Sequence, residues 1–374
     1  MKRVLFMPFL QISSGHHHAA DGMMEYMHEI DESLCCEKID ILSYSYGKME
    51  TFVSAFYLKW IHLFPGMYSW IYRKSVFENE QEKKRFRLYE LLFLVWMEKL
   101  IREKKPDLII CTHALPSYML NQLKSRKKHA IPVINVYTDY FINQIWGIEA
   151  IDYHFVPSRE LKEYLISRGI ESERIHVTGI PIHPLLKTGT SEPKKRRTYS
   201  ILISGGNLGV GSIKTFVQKL EPAGNIHYKV LCGKNNKLYR LIKQMSNPMI
   251  KPLSYISSKE EMNQLYNEAD AIITKPGGVT ISESLYKKIP IFVYHALPGQ
   301  EEINLRYLKK LGLVFHLENW KTKSHLEEQI LSILYCERHR SVLDKQFNSY
   351  HQQLSKQDFS VMVGQILAKY DETF

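Results

Sequence analysis

The stretch Ala271-Ile-Ile-Thr-Lys-Pro-Gly-Gly-Val-Thr-Ile-Ser-Glu283 admits few folds. It opens as a short apolar run, breaks at a Lys-Pro-Gly-Gly turn and resumes with helix-forming residues through Leu285, which predicts strand, tight turn and helix. Such a unit aims the first backbone amides of the helix, which have no partner inside it, and the positive end of the helix dipole into the turn. Phosphate or another anion suits that place. An ordinary strand–helix junction of an α/β domain has the same residues.

The same alternation recurs along the chain. Arg3 to Leu10 reads as a strand, Gln11 to Gly15 as a turn, and the run to Ile30 as a helix. Further strands are expected at Lys38 to Tyr44, Asp107 to His113, Pro132 to Thr138, Ile151 to Ser158 and Ile175 to Ile182. Lys187 to Thr198 is polar, charged and broken by Gly and Pro, the composition of a linker. After it come strands at Tyr199 to Ser204, His227 to Gly233 and Lys251 to Ile256, with a glycine-rich turn from Gly205 to Gly211. Strands alternating with helices at this spacing make doubly wound parallel sheets, whose ligands gather at the carboxyl ends of the strands. His113 and the pair Thr138-Asp139 fall at such ends.

Between Thr51 and Phe77 the pattern changes: Phe56, Trp60, Trp70 and other rings interleave with Lys59, Arg73 and Lys74. Rings mixed with cations suit a peripheral membrane surface, and an aromatic stripe at helical spacing also suits a core. A long amphipathic helix is expected from Asn79 to Lys104, with Leu91 to Met97 buried.

Several function classes drop out. The 374 residues, 44% of them hydrophobic, suffice for two domains, each with its own core. A net charge of +11 implies attraction to a polyanion, and the basic cluster before Thr198 lacks the aromatics of a nucleic-acid patch. Five scattered cysteines without a C-x-x-C pair argue against a disulfide framework and a zinc site, and fit a reducing cytosol. The consecutive histidines at 16, 17 and 18 point in different directions on any regular element, so they cannot all face one ion. Pro8 interrupts the apolar N-terminal run, which reads as a strand rather than a signal peptide. No apolar stretch approaches the roughly eighteen residues of a spanning helix. The glycines from Gly205 onward do not fall in G-x-G-x-x-G order, which leaves a nicotinamide site without support.

Ile273 to Glu283, together with Pro298-Gly-Gln-Glu-Glu-Ile-Asn304, resembles the donor-sugar signature of the family 28 glycosyltransferases. The likeness is strongest to the branch of monogalactosyldiacylglycerol synthases and processive diacylglycerol glucosyltransferases. Gly15-His16-x-x-Ala19-Ala20, Thr138-Asp139-x-Phe141 with Trp146, and Cys232-Gly-Lys-Asn235 match that branch too. The resemblance implies the GT-B fold: an α/β protein of two Rossmann-like domains facing a cleft. These would be residues 1–187 for the acceptor and membrane and residues 199–354 for the UDP-sugar, joined by 188–198, with a last helix at about 355–374 packing back on the first domain.

It also implies roles. His16 would be the base that deprotonates the acceptor, oriented by Asp139; an aspartate there also fits a turn or helix cap. Amides of Gly205, Gly206, Asn207 and Gly209, with Lys275, Gly277, Gly278 and Thr280, would meet the donor diphosphate. The backbone near Ile256 would lie against uracil. Glu283 would accept the ribose hydroxyls, although Thr280-x-x-Glu283 is equally the capping-box pattern. Gln300, Glu301 and Asn304 would read the sugar, and Phe56, Trp60, Trp70, Arg73, Phe141 and Trp146 would face the acceptor and membrane. Ser13 and Ser14 stand where most members carry glycine.

The expected reaction is inverting, metal-independent transfer of a hexose from a UDP-sugar to a diacylglycerol-type lipid, with no cofactor, by a cytoplasmic protein peripheral on the inner face of an anionic membrane. No nucleic-acid partner is expected. Competing readings are a transferase acting on a polyprenyl-linked acceptor, a UDP-sugar epimerase and a binding protein without catalysis.

Overall fold

A computed structural model describes residues 2–9, 15–47, 85–187, 198–206, 212–297, 299–322 and 325–371. Phe56, Trp60, Trp70, Arg73, Ser13, Ser14, Asn207, Gly209 and most of the expected linker lie outside the described residues. The chain divides into two compact units, Met1–His183 with Gln353–Phe374, and Pro184–Gln352.

The first unit is built on β1 (Arg3–Met7), β2 (Cys35–Lys38), β3 (Leu108–Cys111), β4 (Val133–Val136), β5 (Tyr153–Val156) and β6 (Ile175–Val177), all parallel in the order β2-β1-β3-β4-β5-β6. Its helices are α1 (Gly15–Ile30), α2 (Ile41–Tyr46), α3 (Arg87–Lys104), α4 (Ala114–Ser125) and α5 (Arg159–Ser167). Side chains alternate across each strand. In β1, Leu5 and Met7 join a core with Phe93, Met97 and Tyr118, while Val4 and Phe6 join another with Ala20, Met23 and Met27. A sheet covered on both faces explains why β3 is apolar without a break and why every residue of β4 is buried, its one polar residue, Asn135, donating to the Gly147 carbonyl at 2.7 Å.

The second unit begins with α6 (Pro184–Lys187) and holds β7 (Tyr199–Ser204), α7 (Ile213–Gln218), β8 (Ile226–Leu231), α8 (Asn236–Gln244), β9 (Ile250–Leu253) and α9 (Lys259–Glu268). It continues with β10 (Ala271–Thr274), α10 (Gly278–Tyr286), β11 (Ile291–Val293), α11 (Gln300–Lys310), β12 (Phe315–His316), α12 (Leu326–Tyr335) and α13 (Glu337–Gln353). Its parallel sheet runs β12-β11-β10-β7-β8-β9. The last helix, α14 (Phe359–Asp371), belongs to the first unit, where Phe359, Met362, Val363 and Ile366 pack with Val4, Phe6 and Phe155.

Two local expectations are corrected. The second strand is not Lys38 to Tyr44: it ends at Lys38, because the Asp40 carboxylate accepts the Leu42 amide at 3.0 Å and starts α2. Nor is the run Leu91 to Met97 buried throughout. At 100° per residue, Glu90, Phe93, Met97, Leu100 and Ile101 turn inward, while Leu88, Leu91 and Val95 stay 65%, 80% and 74% exposed.

The inward setting of α3 is fixed by a buried carboxylate. Glu90 accepts both Nε and Nη2 of Arg85 at 2.8 Å, Nη2 of Arg126 at 3.0 Å and the Tyr118 hydroxyl at 3.0 Å. These donors, the Arg85 guanidinium first, bring its pKa down to about 2 from the usual 4.5. A depressed carboxylate stabilises the fold above its unfolded pKa, and that stability is lost as pH falls through the folded value. Glu90→Gln is therefore expected to cost on the order of 1–2 kcal/mol at pH 7, the arginines being partly exposed. In urea unfolding the gap between the two proteins should narrow as pH falls from 4.5 toward 2; a gap independent of pH would refute the ionic account.

Candidate active site

In the first unit three adjacent strand ends supply one cluster. Beyond β1 the chain enters α1 with His16 as its second residue; Thr112 follows β3, and Thr138 lies just past β4. His16 Nδ1 stands 2.9 Å from the Thr112 carbonyl oxygen and 2.6 Å from Thr138 Oγ1. A carbonyl only accepts, so Nδ1 carries the proton and Nε2 holds the lone pair. The Thr138 hydroxyl in turn reaches the Thr112 carbonyl at 3.4 Å. Burial lowers the His16 pKa, while the Asp139 charge and the Thr112 bond oppose that shift. The imidazole is thus neutral and basic at Nε2 near neutral pH.

His113 stands edge-on to His16, with ring centroids 4.8 Å apart, and stacks on Phe9 at 5.0 Å. Its Nδ1 accepts the Leu115 amide at 3.2 Å and so caps α4. Burial and the neighbouring His16 and His17 hold its pKa well below the usual value. Among the described residues, no group of three or more His, Cys, Asp or Glu side chains could hold a metal ion.

Phe141 and Trp146, expected to face acceptor or membrane, are each only 8% exposed. Trp146 belongs to the core, its ring centroid 4.5 Å from that of Tyr137. The loop after β4 is tied to α4, the Gly147 amide donating to Ser117 Oγ at 3.1 Å and the Ala150 amide to Asn121 Oδ1 at 2.8 Å, which keeps these rings inside.

In the second unit the Lys-Pro-Gly-Gly turn follows β10, and α10 starts at Gly278 with Gly277 at the N-cap. Among the described residues no side chain caps this helix, so its first amides have neither an internal acceptor nor a capping one there. Gly277 has an ordinary backbone conformation, φ −78°, and a Cβ built on it would meet nothing within 4 Å. Neither strain nor the protein's own packing requires glycine there, but a side chain would fill the approach to the amides. Thr280 lies inside the helix, so the capping-box alternative for Thr280 and Glu283 does not form. Glu283 instead accepts the Tyr266 hydroxyl at 2.7 Å. Burial raises its pKa, and the Tyr266 bond and Lys259 pull it back.

Lys275 is not a free cation. Its Nζ lies 3.3 Å from Glu301 Oε1, and Glu301 Oε2 accepts the Leu297 amide at 2.6 Å. Asn304 is 1% exposed and donates from Nδ2 to the Pro276 carbonyl at 3.1 Å. Glu301 and Asn304 therefore hold the turn in place, and of the three residues expected to read a sugar Gln300 alone is neither tied to the turn nor fully buried. After β7, Gly205 packs on Ile213, and Gly206 has φ +81°, a left-handed turn that favours glycine. Ile256 is half-buried in the loop after β9, which ends at Leu253; next to it the exposed Tyr255 lies under Lys234 Nζ, 5.3 Å from its ring centroid.

The two halves match two family models: monogalactosyldiacylglycerol synthase over residues 16–182, and the C-terminal domain of glycosyltransferase family 28 over residues 200–358. The uncharacterized glycosyltransferase YkoN of Bacillus subtilis is 46% identical over 374 residues, which is 100% of this chain and 99% of that protein. The chain belongs to glycosyltransferase family 28. A processive diacylglycerol beta-glucosyltransferase of Bacillus cytotoxicus is 27% identical over 330 residues, 84% of this chain and 83% of that one. Among solved structures, MurG of Acinetobacter baumannii has a TM-score of 0.57 at 14% identity, covering 99% of this chain and 100% of its own. SnogD of Streptomyces nogalater also scores 0.57, at 14% identity, covering 98% and 99%. The likeness establishes the GT-B fold for this family 28 chain.

Sequence reasoning missed the Thr112 carbonyl and Tyr266. Thr112 lies near the end of the strand expected from Asp107 to His113, so adjacency of strand ends could have placed its carbonyl beside His16. Tyr266 carries no local signal, because it arrives from the preceding helix.

The His16 environment sets a testable sign. In an NMR titration its imidazole should have a pKa below 6.5, and Asp139→Asn should lower it further by removing the charge that favours the imidazolium. A rise or no change in the variant would contradict this electrostatic arrangement.

Proposed function

We propose that this family 28 glycosyltransferase moves a hexose from a UDP-sugar to the hydroxyl of a diacylglycerol-type lipid, with inversion and without a metal ion. The carrying observation is the His16 imidazole, whose Nδ1 proton is held by Thr112 and Thr138 so that Nε2 is left as the base. Relatives named processive diacylglycerol beta-glucosyltransferase support the lipid acceptor. A similarly folded structure, MnaA of S. aureus, was solved with UDP, which supports the donor.

In this reading His16 Nε2 takes the acceptor proton while the acceptor oxygen attacks the anomeric carbon from the face opposite the leaving group. The bond from that carbon to the diphosphate oxygen breaks in the same displacement, and UDP departs with the electron pair. The uncapped amides of α10 stabilise the charge that develops there. Asp139 stabilises the imidazolium formed in the step, and the proton then passes to solvent.

The exposed face of α3 supports a peripheral membrane position. Leu88, Leu91, Leu92 and Val95 share one helix face with the exposed Lys99 and Arg102. Apolar residues beside cations match the boundary of an anionic bilayer. Among the described residues, no helix is long and apolar enough to cross one.

Thin-layer chromatography of lipids, after incubation with diacylglycerol in anionic vesicles and each labelled UDP-hexose in turn, should give a labelled glycolipid from one donor, undiminished by EDTA. His16→Ala should lower the rate roughly 10²-fold or more. Full activity in that variant would remove the base assignment, and product from a polyprenyl-linked acceptor alone would replace the lipid. In vesicle flotation, Leu91→Glu with Val95→Glu should weaken binding roughly tenfold while leaving UDP affinity unchanged. Unchanged flotation would rule out α3 as the contact.

A further inference from the structure

Tyr266, on α9, has no role in the reaction described above, yet its hydroxyl is aimed at a half-buried carboxylate of the donor site, that of Glu283. The side chain is 2% exposed, and its O–H donates to Glu283 Oε2 at 2.7 Å. Glu283 Oε1 has no protein donor among the described residues. The frame around this pair is stiff. Lys287, 1% exposed at the end of α10, reaches back to α9 and donates to Asn263 Oδ1 at 2.5 Å and Asn267 Oδ1 at 2.7 Å. Ser284 Oγ donates to the Thr280 carbonyl at 2.7 Å within α10.

A carboxylate on a flexible stem recognises a hydroxyl pair well only if its plane is fixed beforehand. A bond from a phenol that cannot itself move fixes that plane, because holding Oε2 sets the direction in which Oε1 points. A phenol also keeps its proton here: burial and the facing carboxylate raise its pKa well above the usual value, so it donates at any working pH. Phenylalanine at this place would preserve the packing of α9 on α10 and remove the donor.

We propose that Tyr266 is a positioning residue for nucleoside recognition, which holds Glu283 so that its free oxygen accepts a ribose hydroxyl and thereby makes the site prefer ribonucleotides over deoxyribonucleotides. This rests on the UDP-sugar reading of the second unit. It departs from a merely structural bond between two helices in one respect: the bond must matter more to a donor that carries the hydroxyl than to one that lacks it.

The test is calorimetric binding of UDP, 2′-deoxy-UDP and 3′-deoxy-UDP to the full chain, to Tyr266→Phe and to Glu283→Gln. The wild type should prefer UDP over at least one deoxy analogue by roughly tenfold or more, the size of a lost hydrogen bond to a charged group. Both variants should lose most of that preference while binding the deoxy analogues about as well as the wild type does. If Glu283→Gln loses the preference and Tyr266→Phe keeps it, Tyr266 is structural and the inference fails alone. If Glu283→Gln keeps it, or the wild type shows none, the ribose assignment of Glu283 fails and the inference with it. Should Tyr266→Phe not fold, 3-fluorotyrosine at position 266, which keeps the ring and changes the acidity of the hydroxyl, must shift the ratio of UDP to deoxy-UDP affinity; an unchanged ratio overturns the proposal.

Discussion

Parallel strands all end on the same side, and the polar backbone just past those ends must find partners that the sheet does not supply. Both units meet this constraint with chemistry. In the first, the Thr112 carbonyl beyond β3 finds the Nδ1 proton of His16 beyond β1, and the hydroxyl of Thr138 beyond β4 joins them. The price of satisfying one carbonyl is a histidine whose tautomer is decided. In the second, the amides that open α10 after β10 find no side-chain cap among the described residues. What one unit satisfies internally, the other leaves available to an anion.

Burial then tunes each group in the direction its task requires. His16 and His113 lie close enough that two imidazolium charges would repel, and both pKa values are lowered first by desolvation. The Asp139 charge opposes that shift at His16. Glu283 presents the opposite problem, since burial favours its neutral form; the Tyr266 bond opposes that shift and favours the ionised acceptor. Lys275 and Glu301 neutralise each other beside the turn, so the field at α10 comes from backbone amides more than from a free lysine.

The fold was legible in the alternation of apolar runs with glycine turns, because a parallel sheet covered on both faces leaves continuous apolar strands. Half of the site was legible for the same reason: His16, Asp139 and the Lys-Pro-Gly-Gly turn all sit at strand ends. The rest depends on contacts between distant elements. Thr280-x-x-Glu283 admits a cap or a ligand reading until it is known that the helix begins two residues before Thr280. Asn304 looks like a sugar contact from its spacing to Gln300, and only the position of Pro276 shows which carbonyl its amide serves. Lys38 to Tyr44 misleads because its residues suit a strand, while one carboxylate, that of Asp40, decides for a helix.

The exposed ridge on α3 follows from burial of a charge. An apolar helix with Leu88, Leu91, Leu92, Phe93, Val95 and Met97 could turn several faces inward, and hydrophobicity alone does not choose among them. Glu90 does. Its carboxylate must lie where Arg85, Arg126 and Tyr118 converge, because an ionised group without them would cost far more than a misplaced leucine. With Glu90 inward, Leu88, Leu91 and Val95 are forced out, beside Lys99 and Arg102. A buried ion pair contributes little net stability, but it sets the rotation of a helix, and here that rotation exposes apolar side chains and cations along a single face.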